Sequence, residues 1–103
     1  MSIPNLGRFS DPSMLILASL AEGPKHGYAM MEDIETFAGV HLGPGTLYGA
    51  IARLEESGLI ESLPSEERRR PYRLTSAGVV FLREQLTSLE AFAALGLRRL
   101  ASI

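Results

Sequence analysis

The chain has 103 residues, of which 46% are hydrophobic, a formal net charge of −2 and no cysteine. This composition suits one folded domain and excludes a disordered chain, disulfides, thiolate catalysis and sulfur-based metal sites. The small negative charge does not exclude nucleic-acid binding, which depends on where the cations lie. The apolar run at 14–21 is too short to span a bilayer, and Asp11 before it is unlike a signal peptide. We therefore expect a soluble, cytoplasmic protein with no membrane contact.

The first part of the chain predicts a flexible arm and two helices. Residues 1–10 show no periodicity, and we expect an arm there. A first helix, capped by Asp11 or Ser10, continues to about Glu22. A second helix starts near His26 or Gly27 and runs to about Ala38, where a glycine ends it. Its apolar spacing predicts a set of buried side chains, namely Met30 or Met31, Ile34 and Phe37.

The third predicted helix, from about Pro44 to Ser57, has an unusual surface. Leu47, Ile51 and Leu54 recur at helical spacing and predict a core-facing side. The opposite side has almost no bulk: it carries Gly45, Gly49, Ala52 and Glu56, flanked by Thr46, Tyr48 and Arg53. Glycine weakens a helix interior by about 1 kcal/mol relative to alanine, so a close approach to another surface is the best explanation. Such a helix suits a DNA major groove.

The rest of the chain predicts a hairpin and a long helix. Residues 59–63 alternate as a strand, residues 64–70 form a polar turn, and Pro71 to Leu74 return as the partner strand. Thr75 caps the last helix. The predicted fold class is therefore mainly α with a small β-hairpin, arranged as a winged helix-turn-helix plus a long C-terminal helix. The predicted division is a flexible arm at 1–10, a winged-helix DNA-binding domain at 11–74 and a C-terminal dimerisation helix at 75–103.

The predicted hairpin turn is rich in arginine, with Arg68, Arg69 and Arg70 near the tip and Arg73 in the return strand. Guanidinium groups there can reach DNA phosphates. The alternative is a solvated loop, since Glu66 and Glu67 precede the arginines. We favour phosphate contact because the turn follows a helix suited to a groove.

Three segments, PKHGYAMMEDIE, GPGTLYGAIARLEESGLIES and RRPYRLTSAG, together resemble the PadR-like transcriptional regulators. The resemblance covers roughly residues 14 to 80 and implies a homodimeric winged-helix DNA binder of the short subgroup, usually a repressor released by a small molecule. It places a DNA phosphate near the start of the second helix and base contacts on the third. The DNA-binding residues expected from the surface pattern and the resemblance together are Lys25, His26, Gly27, Tyr28, Gly45, Thr46, Tyr48, Gly49, Arg53, Arg68, Arg69, Arg70 and Arg73. Gly43 and Gly49 depart from the family, which often has serine and proline there.

The last helix carries apolar residues at alternating spacings of three and four, as in a coiled-coil seam. A helix about 40 Å long cannot bury its far end on its own small domain, which indicates a second subunit. The alternative is a monomer with one long amphipathic helix. The expected dimerisation residues are Leu15, Leu17, Val79, Leu82, Leu86, Leu89, Phe92, Ala93, Gly96 and Leu100. A small apolar or aromatic effector is expected between the subunits, against Leu17, Leu89 and Phe92. The alternatives are a response to phosphorylation or to another protein.

The sequence contains no residue pattern that is typical of an enzyme active site. His26 and His41, the two histidines, show no carboxylate pattern for a metal site or a triad. The glycine-rich GPGTLYG lacks the lysine and the spacing of a P-loop. We expect no enzyme activity, no metal and no cofactor. Two functions remain: a dimeric DNA-binding regulator of an inverted-repeat operator, and a winged-helix module for protein contacts in which the glycine-lined helix receives a partner helix.

Overall fold

The computed structural model describes residues 11–65 and 68–103. In this part of the chain, four helices are joined by a short β-sheet. The predicted arm at 1–10, together with Glu66 and Glu67, lies outside the described residues. The elements in chain order are α1 (Pro12–Leu20), β1 (Lys25–His26), α2 (Gly27–Ala38), α3 (Pro44–Glu56), β2 (Ile60–Ser62), β3 (Pro71–Leu74) and α4 (Ser76–Ala101). The predicted fold class, mainly α with a small β component in a winged-helix arrangement, is confirmed.

The helix ends follow from local hydrogen bonding. The Asp11 carboxylate accepts from Ser13 N at 3.0 Å and begins α1, and Thr75 Oγ1 accepts from Gly78 N at 3.0 Å and begins α4. Such caps satisfy amide groups that have no acceptor within the helix. Gly39 ends α2 in the left-handed conformation, with φ of 67°. At the start of α3, Gly43 has no side chain to supply a cap, and Pro44 occupies the first turn.

The sheet has three strands in the order β1, β3, β2, all antiparallel. Strands β2 and β3 form the predicted hairpin. The third strand, β1, was not predicted, and it pairs Lys25 with Tyr72 and His26 with Pro71. This pairing fastens the start of α2 to the base of the hairpin.

The core lies between α1, α2 and α3 and closes on β2 and the first turns of α4. Its members are mostly aliphatic side chains: Leu15, Ile16, Leu17, Leu20, Met30, Ile34, Leu42, Leu47, Ala50, Ile51, Leu54, Ile60 and Leu82. The predicted core face of α3 is therefore confirmed. The prediction that Phe37 is buried is wrong, since this ring is 49% exposed. It lies in the last turn of α2, beyond Ile34, the last fully buried residue of the helix.

Three leucines expected at the dimer interface instead belong to the core of a single chain. Leu15 and Leu82 are 4% exposed and Leu17 is fully buried. Because α1 is apolar on nearly every side, the surrounding helices cover it from several directions. Leu17 has no accessible surface with which to line an effector site or meet a second subunit.

Candidate nucleic-acid interface

The outer side of α3 is open and has little side-chain bulk. A Cβ added at Gly45 would meet no atom within 4 Å, and one added at Gly49 would meet only Arg53 Nη1, at 3.6 Å. Packing among residues 11–65 and 68–103 therefore does not require glycine at either position. Thr46 and Tyr48 are exposed on the same helix.

The start of α2 packs closely against α3. His26 Nδ1 accepts from Ala29 N at 3.2 Å and caps the helix. Gly27 is buried beneath Tyr48: an added Cβ would overlap the tyrosine hydroxyl and lie 2.7 Å from its Cζ. The missing side chain at Gly27 thus makes room for the Tyr48 ring against the first turn of α2.

A cleft of about 300 Å³ lies where α2, α3 and the hairpin turn meet. Three tyrosine rings and three consecutive arginines contribute to it, and the full lining is His26, Gly27, Tyr28, Tyr48, Arg68, Arg69, Arg70 and Tyr72. The Arg69 guanidinium lies over the Tyr28 ring, 5.7 Å from its centroid, in a cation–π contact. The fold therefore brings three separate sequence segments into one basic, aromatic surface.

Tyr72 lines this cleft and was missed by the sequence analysis. The alternation in PYRL that predicted the strand places Tyr72 and Leu74 on one face, which was the available signal. Burial raises the pKa of the Tyr72 phenol; the Glu55 carboxylate and Tyr48 raise it further, and Arg70 opposes them. Tyr72 therefore remains a neutral phenol that can donate a hydrogen bond at neutral pH.

Two cations expected at the interface have partners within the chain. Arg73 Nε donates to Glu61 Oε1 at 2.7 Å across β2 and β3. The Lys25 ammonium is directed toward the end of α1 rather than toward the cleft. It contacts the Ser19 carbonyl, Glu22 and Asp33, and its side chain is only 13% exposed.

The expected DNA-binding residues thus divide into three groups. Seven of them line the cleft: His26, Gly27, Tyr28, Tyr48, Arg68, Arg69 and Arg70. Gly45, Thr46, Gly49 and Arg53 lie along α3 outside the cleft lining. Lys25 and Arg73 are held in ion pairs.

Residues 16–84 match the model of the transcriptional regulator PadR-like family, which is more than half of the chain. The chain belongs to the PadR-like family. This family consists of transcriptional regulators and not of enzymes.

This PadR-like regulator is similar to known proteins in sequence and, for the solved structures, in fold. It is 38% identical to the transcriptional regulator Rv3488 of Mycobacterium tuberculosis, over 76% of this chain and 75% of the relative. It is 48% identical, over 80% of its length, to an uncharacterized 37.1 kDa protein in transposon TN4556 of Streptomyces fradiae, but the match spans only 24% of that protein. A PadR family transcription regulator from Clostridium difficile superposes with a TM-score of 0.78 at 26% identity, covering 86% of this chain and 97% of that one.

The PadR-like regulator carries a second surface along α4, which lies wholly within the described residues and buries only Gly78 and Leu82. Phe92 is 74% exposed and Leu100 64%, and Leu86 and Leu89 are also exposed. A groove of about 340 Å³ runs beside them, lined by Ala21, Leu74, Val79, Leu82, Arg83, Leu86, Thr87 and Glu90. Much of the apolar surface of α4 therefore lacks a partner among the described residues.

Within residues 11–65 and 68–103, no three His, Asp or Glu side chains gather as metal ligands would. None of the helices in that same part of the chain combines the length and the apolar character needed to cross a membrane.

Proposed function

We propose that this PadR-like regulator binds double-stranded DNA as a homodimer, with one α3 in each of two successive major grooves of an inverted repeat. The observation that carries the proposal is the cleft, which gathers the start of α2, Tyr48 of α3 and Arg68 to Arg70 on one side of the chain. In helix-turn-helix proteins the reading helix enters the groove while neighbouring elements hold the backbone. In this proposal the residues of the cleft make the contacts to the DNA backbone.

The surface of α3 suits close approach to base edges. Gly45, Gly49 and Ala52 add little bulk, so the helix backbone can lie deep in the groove. Thr46, Tyr48 and Arg53 are exposed and supply polar contacts. Because long polar side chains are few here, we expect sequence selectivity to depend also on half-site spacing and DNA shape.

The phosphate contacts come from the cleft. Arg68, Arg69 and Arg70 bring three positive charges to the DNA backbone or to the edge of the minor groove. The first amide groups of α2, near Gly27 and Tyr28, lack helical acceptors and suit a phosphate oxygen. Each phosphate neutralised releases counterions, so binding is expected to weaken steeply with salt.

The second subunit is expected to cover α4. Arg83 and Glu90 both line the groove and are seven residues apart, so they lie on one side of the helix. A two-fold axis midway between them would place each Arg83 opposite the partner subunit's Glu90. This antiparallel arrangement joins apolar faces and opposite charges in one interface.

We further propose that the protein represses transcription from the cytoplasm and responds to an apolar or aromatic effector between the subunits. Leu89 and Phe92 are exposed along α4 and are available to line such a site. A ligand that prefers one arrangement of the α4 helices would change the distance between the two α3 helices. DNA affinity would then change by the ligand's differential binding to the two arrangements.

Fluorescence anisotropy with labelled duplex from upstream of the protein's own gene tests DNA binding. We expect saturable binding whose logarithm falls linearly with the logarithm of salt concentration. Arg69→Ala should weaken binding and reduce that slope by about 0.9 for each subunit. Arg98→Ala, at the exposed end of α4, is the matched control and should leave the slope unchanged.

The alternative function, a winged-helix module for protein contacts, predicts a different outcome. A protein that contacts only other proteins would show no binding to this duplex or to any fragment selected from a random DNA library. Loss of binding in both Arg69→Ala and Tyr48→Phe, with unchanged folding by circular dichroism, would support the DNA-binding proposal.

A further inference from the structure

The chain contains ten lysine and arginine residues, of which Lys25 is the only lysine. Lys25 directly precedes His26 and Gly27 of the cleft, yet its side chain is 13% exposed. Long cationic side chains beside a nucleic-acid surface normally extend into solvent. The burial of the Lys25 side chain therefore indicates a role other than contact with nucleic acid.

The Lys25 ammonium joins the end of α1 to the middle of α2. It donates to the Ser19 carbonyl in the last turn of α1, and it forms ion pairs with Glu22 Oε1 at 2.7 Å and Asp33 Oδ2 at 3.8 Å. Asp33 Oδ2 in turn accepts from Ser19 Oγ at 2.7 Å. A cation at the carbonyl end of a helix is favourable because those carbonyls lack helical donors. We call this group of four residues, Ser19, Glu22, Lys25 and Asp33, the α1–α2 lock.

The lock lies beside a contact in which a movement of α2 would displace the Tyr48 ring. One residue after Lys25, His26 caps the helix, and the next residue, Gly27, packs so closely beneath Tyr48 that an added methyl group would displace the ring. Lys25 and His26 also pair with Tyr72 and Pro71 of β3. The direction of α2 therefore decides where the Tyr28 and Tyr48 rings stand relative to the hairpin arginines.

We propose that Lys25 is a positioning residue for DNA binding: its ammonium fixes α2 against α1 and thereby sets the geometry of the cleft, without contacting DNA. The proposal rests on the proposed DNA-binding function. It assigns the nucleic-acid contacts to arginine, tyrosine and backbone groups, and it gives the single lysine a role inside the protein.

The salt dependence of binding separates positioning from contact. Lys25→Met keeps the aliphatic stem and removes the ammonium. We expect about a tenfold loss of affinity for the upstream duplex, because misplaced contact groups bind weakly, with the salt slope unchanged. A direct phosphate contact would instead reduce the slope by about 0.9 for each subunit. A reduced slope, or wild-type affinity, would overturn the proposal.

A double variant separates positioning from general stability. Lys25→Met leaves the partly buried Asp33 carboxylate without its cation, which should lower the unfolding midpoint. Adding Asp33→Asn removes that charge while its amide oxygen still accepts from Ser19. We expect the double variant to regain much of the stability but not the DNA affinity. Affinity that recovers together with stability would mean that Lys25 only supports the fold.

Amine labelling provides a readout that needs no DNA. In Arg98→Lys, a second lysine on the exposed end of α4 serves as an internal reference, and peptide mapping after brief acetylation compares the two sites. We expect Lys25 to react about tenfold more slowly than residue 98, since its nitrogen is engaged in the lock, and Asp33→Asn to reduce this difference. Equal reactivity would overturn the lock itself. Failure of the wild-type protein to bind DNA would overturn the proposed function and the positioning role that rests on it, but not the lock as a feature of the fold.

Discussion

Gly27 and Gly78 both lie in the first turn of a helix, yet their surroundings differ. At Gly78 an added Cβ would overlap the Leu59 carbonyl oxygen and lie 3.0 Å from its carbon, so the obstacle is backbone. At Gly27 the obstacle is the far end of the Tyr48 side chain, which is half exposed. The Leu59 carbonyl can move only if the backbone shifts, whereas the Tyr48 ring can move by rotation of its side chain.

Alanine at these two glycines is therefore expected to act differently. Gly78→Ala should destabilise the protein by about 1–3 kcal/mol, because α4 must shift away from Leu59. Gly27→Ala should change stability by less than about 1 kcal/mol but displace Tyr48, and DNA affinity should fall. Urea denaturation and anisotropy of the same samples measure both effects. Equal destabilisation by the two substitutions would contradict this distinction.

Tyr72 predicts a loss of stability at alkaline pH. Burial raises the pKa of its phenol in the folded state above the ordinary value of 10.0, with Glu55 and Tyr48 adding to the effect and Arg70 opposing it. The unfolded chain therefore loses this proton first, and the stabilisation present below pH 10 declines as pH rises through the folded-state pKa. Between pH 8 and pH 11, the unfolding free energy of Tyr72→Phe should fall less than that of the wild type. An identical decline in both proteins would exclude this role for the phenol.

For individual residues, the interaction partners of a side chain were the property hardest to predict from the sequence. The sequence places Lys25 next to residues of the interface but cannot show that its ammonium meets Asp33, eight residues later on another element. Phe37 likewise fits the apolar spacing of α2, but whether neighbouring elements cover its last turn depends on tertiary packing. By contrast, Leu47, Ile51 and Leu54 were predicted correctly because one helix face determines their direction.

At the scale of elements, α3 carries two glycines, Gly45 and Gly49, on an accessible outer side. Its glycines have helical conformations and open surroundings, so stability within the chain favours alanine at those positions. Gly49→Ala should raise the unfolding free energy by about 1 kcal/mol. The same methyl group would stand between the helix and the groove, so DNA affinity should fall. Chemical denaturation and anisotropy measure the two changes, and a stabilised variant with full affinity would show that α3 does not approach DNA on this side.

The helices could be predicted from the sequence, but one strand could not. Proline, glycine and capping side chains mark the helix ends locally, and the return strand Pro71–Leu74 was predicted with its observed bounds. The two residues of β1 carry no alternation, and their strand character exists only because β3 lies alongside. The cleft depends on this pairing, so its composition could be anticipated in part but its assembly could not.

At the scale of the whole molecule, α4 makes the chain elongated. The radius of gyration is 15.6 Å, and the longest extent is 58 Å, whereas a compact chain of this length has a radius of gyration of about 13 Å. The difference indicates an apolar helix that projects beyond the core, which agrees with the proposed dimer.

Leu89→Glu tests this interface, because it places a carboxylate among apolar side chains. We expect the dimer dissociation constant to rise by more than about tenfold, as measured by analytical ultracentrifugation, and DNA affinity to fall with it. Ala91→Glu is the matched control, about 200° away around the helix, and should leave the dimer intact. If Ala91→Glu dissociates the dimer and Leu89→Glu does not, the subunits associate through the opposite face of α4.

The two charges beside that face test the antiparallel arrangement. Arg83→Glu would bring like charges together across the two-fold axis and weaken the dimer, by about 1 kcal/mol or less for each exposed pair. Exchanging the two residues, as Arg83→Glu with Glu90→Arg, should restore the dissociation constant. A double variant as weak as the single one would exclude the pairing.

The α1–α2 lock has a consequence for regulation by covalent modification. Lysine acetylation erases positive charge, and it is a common way to release a protein from nucleic acid. Here the three cations that line the cleft are all arginines, which amine acylation does not touch. In the proposed complex, acylation would therefore leave unchanged the arginine charges of the cleft that attract DNA. Acylation of Lys25 would act on DNA binding through the α1–α2 lock.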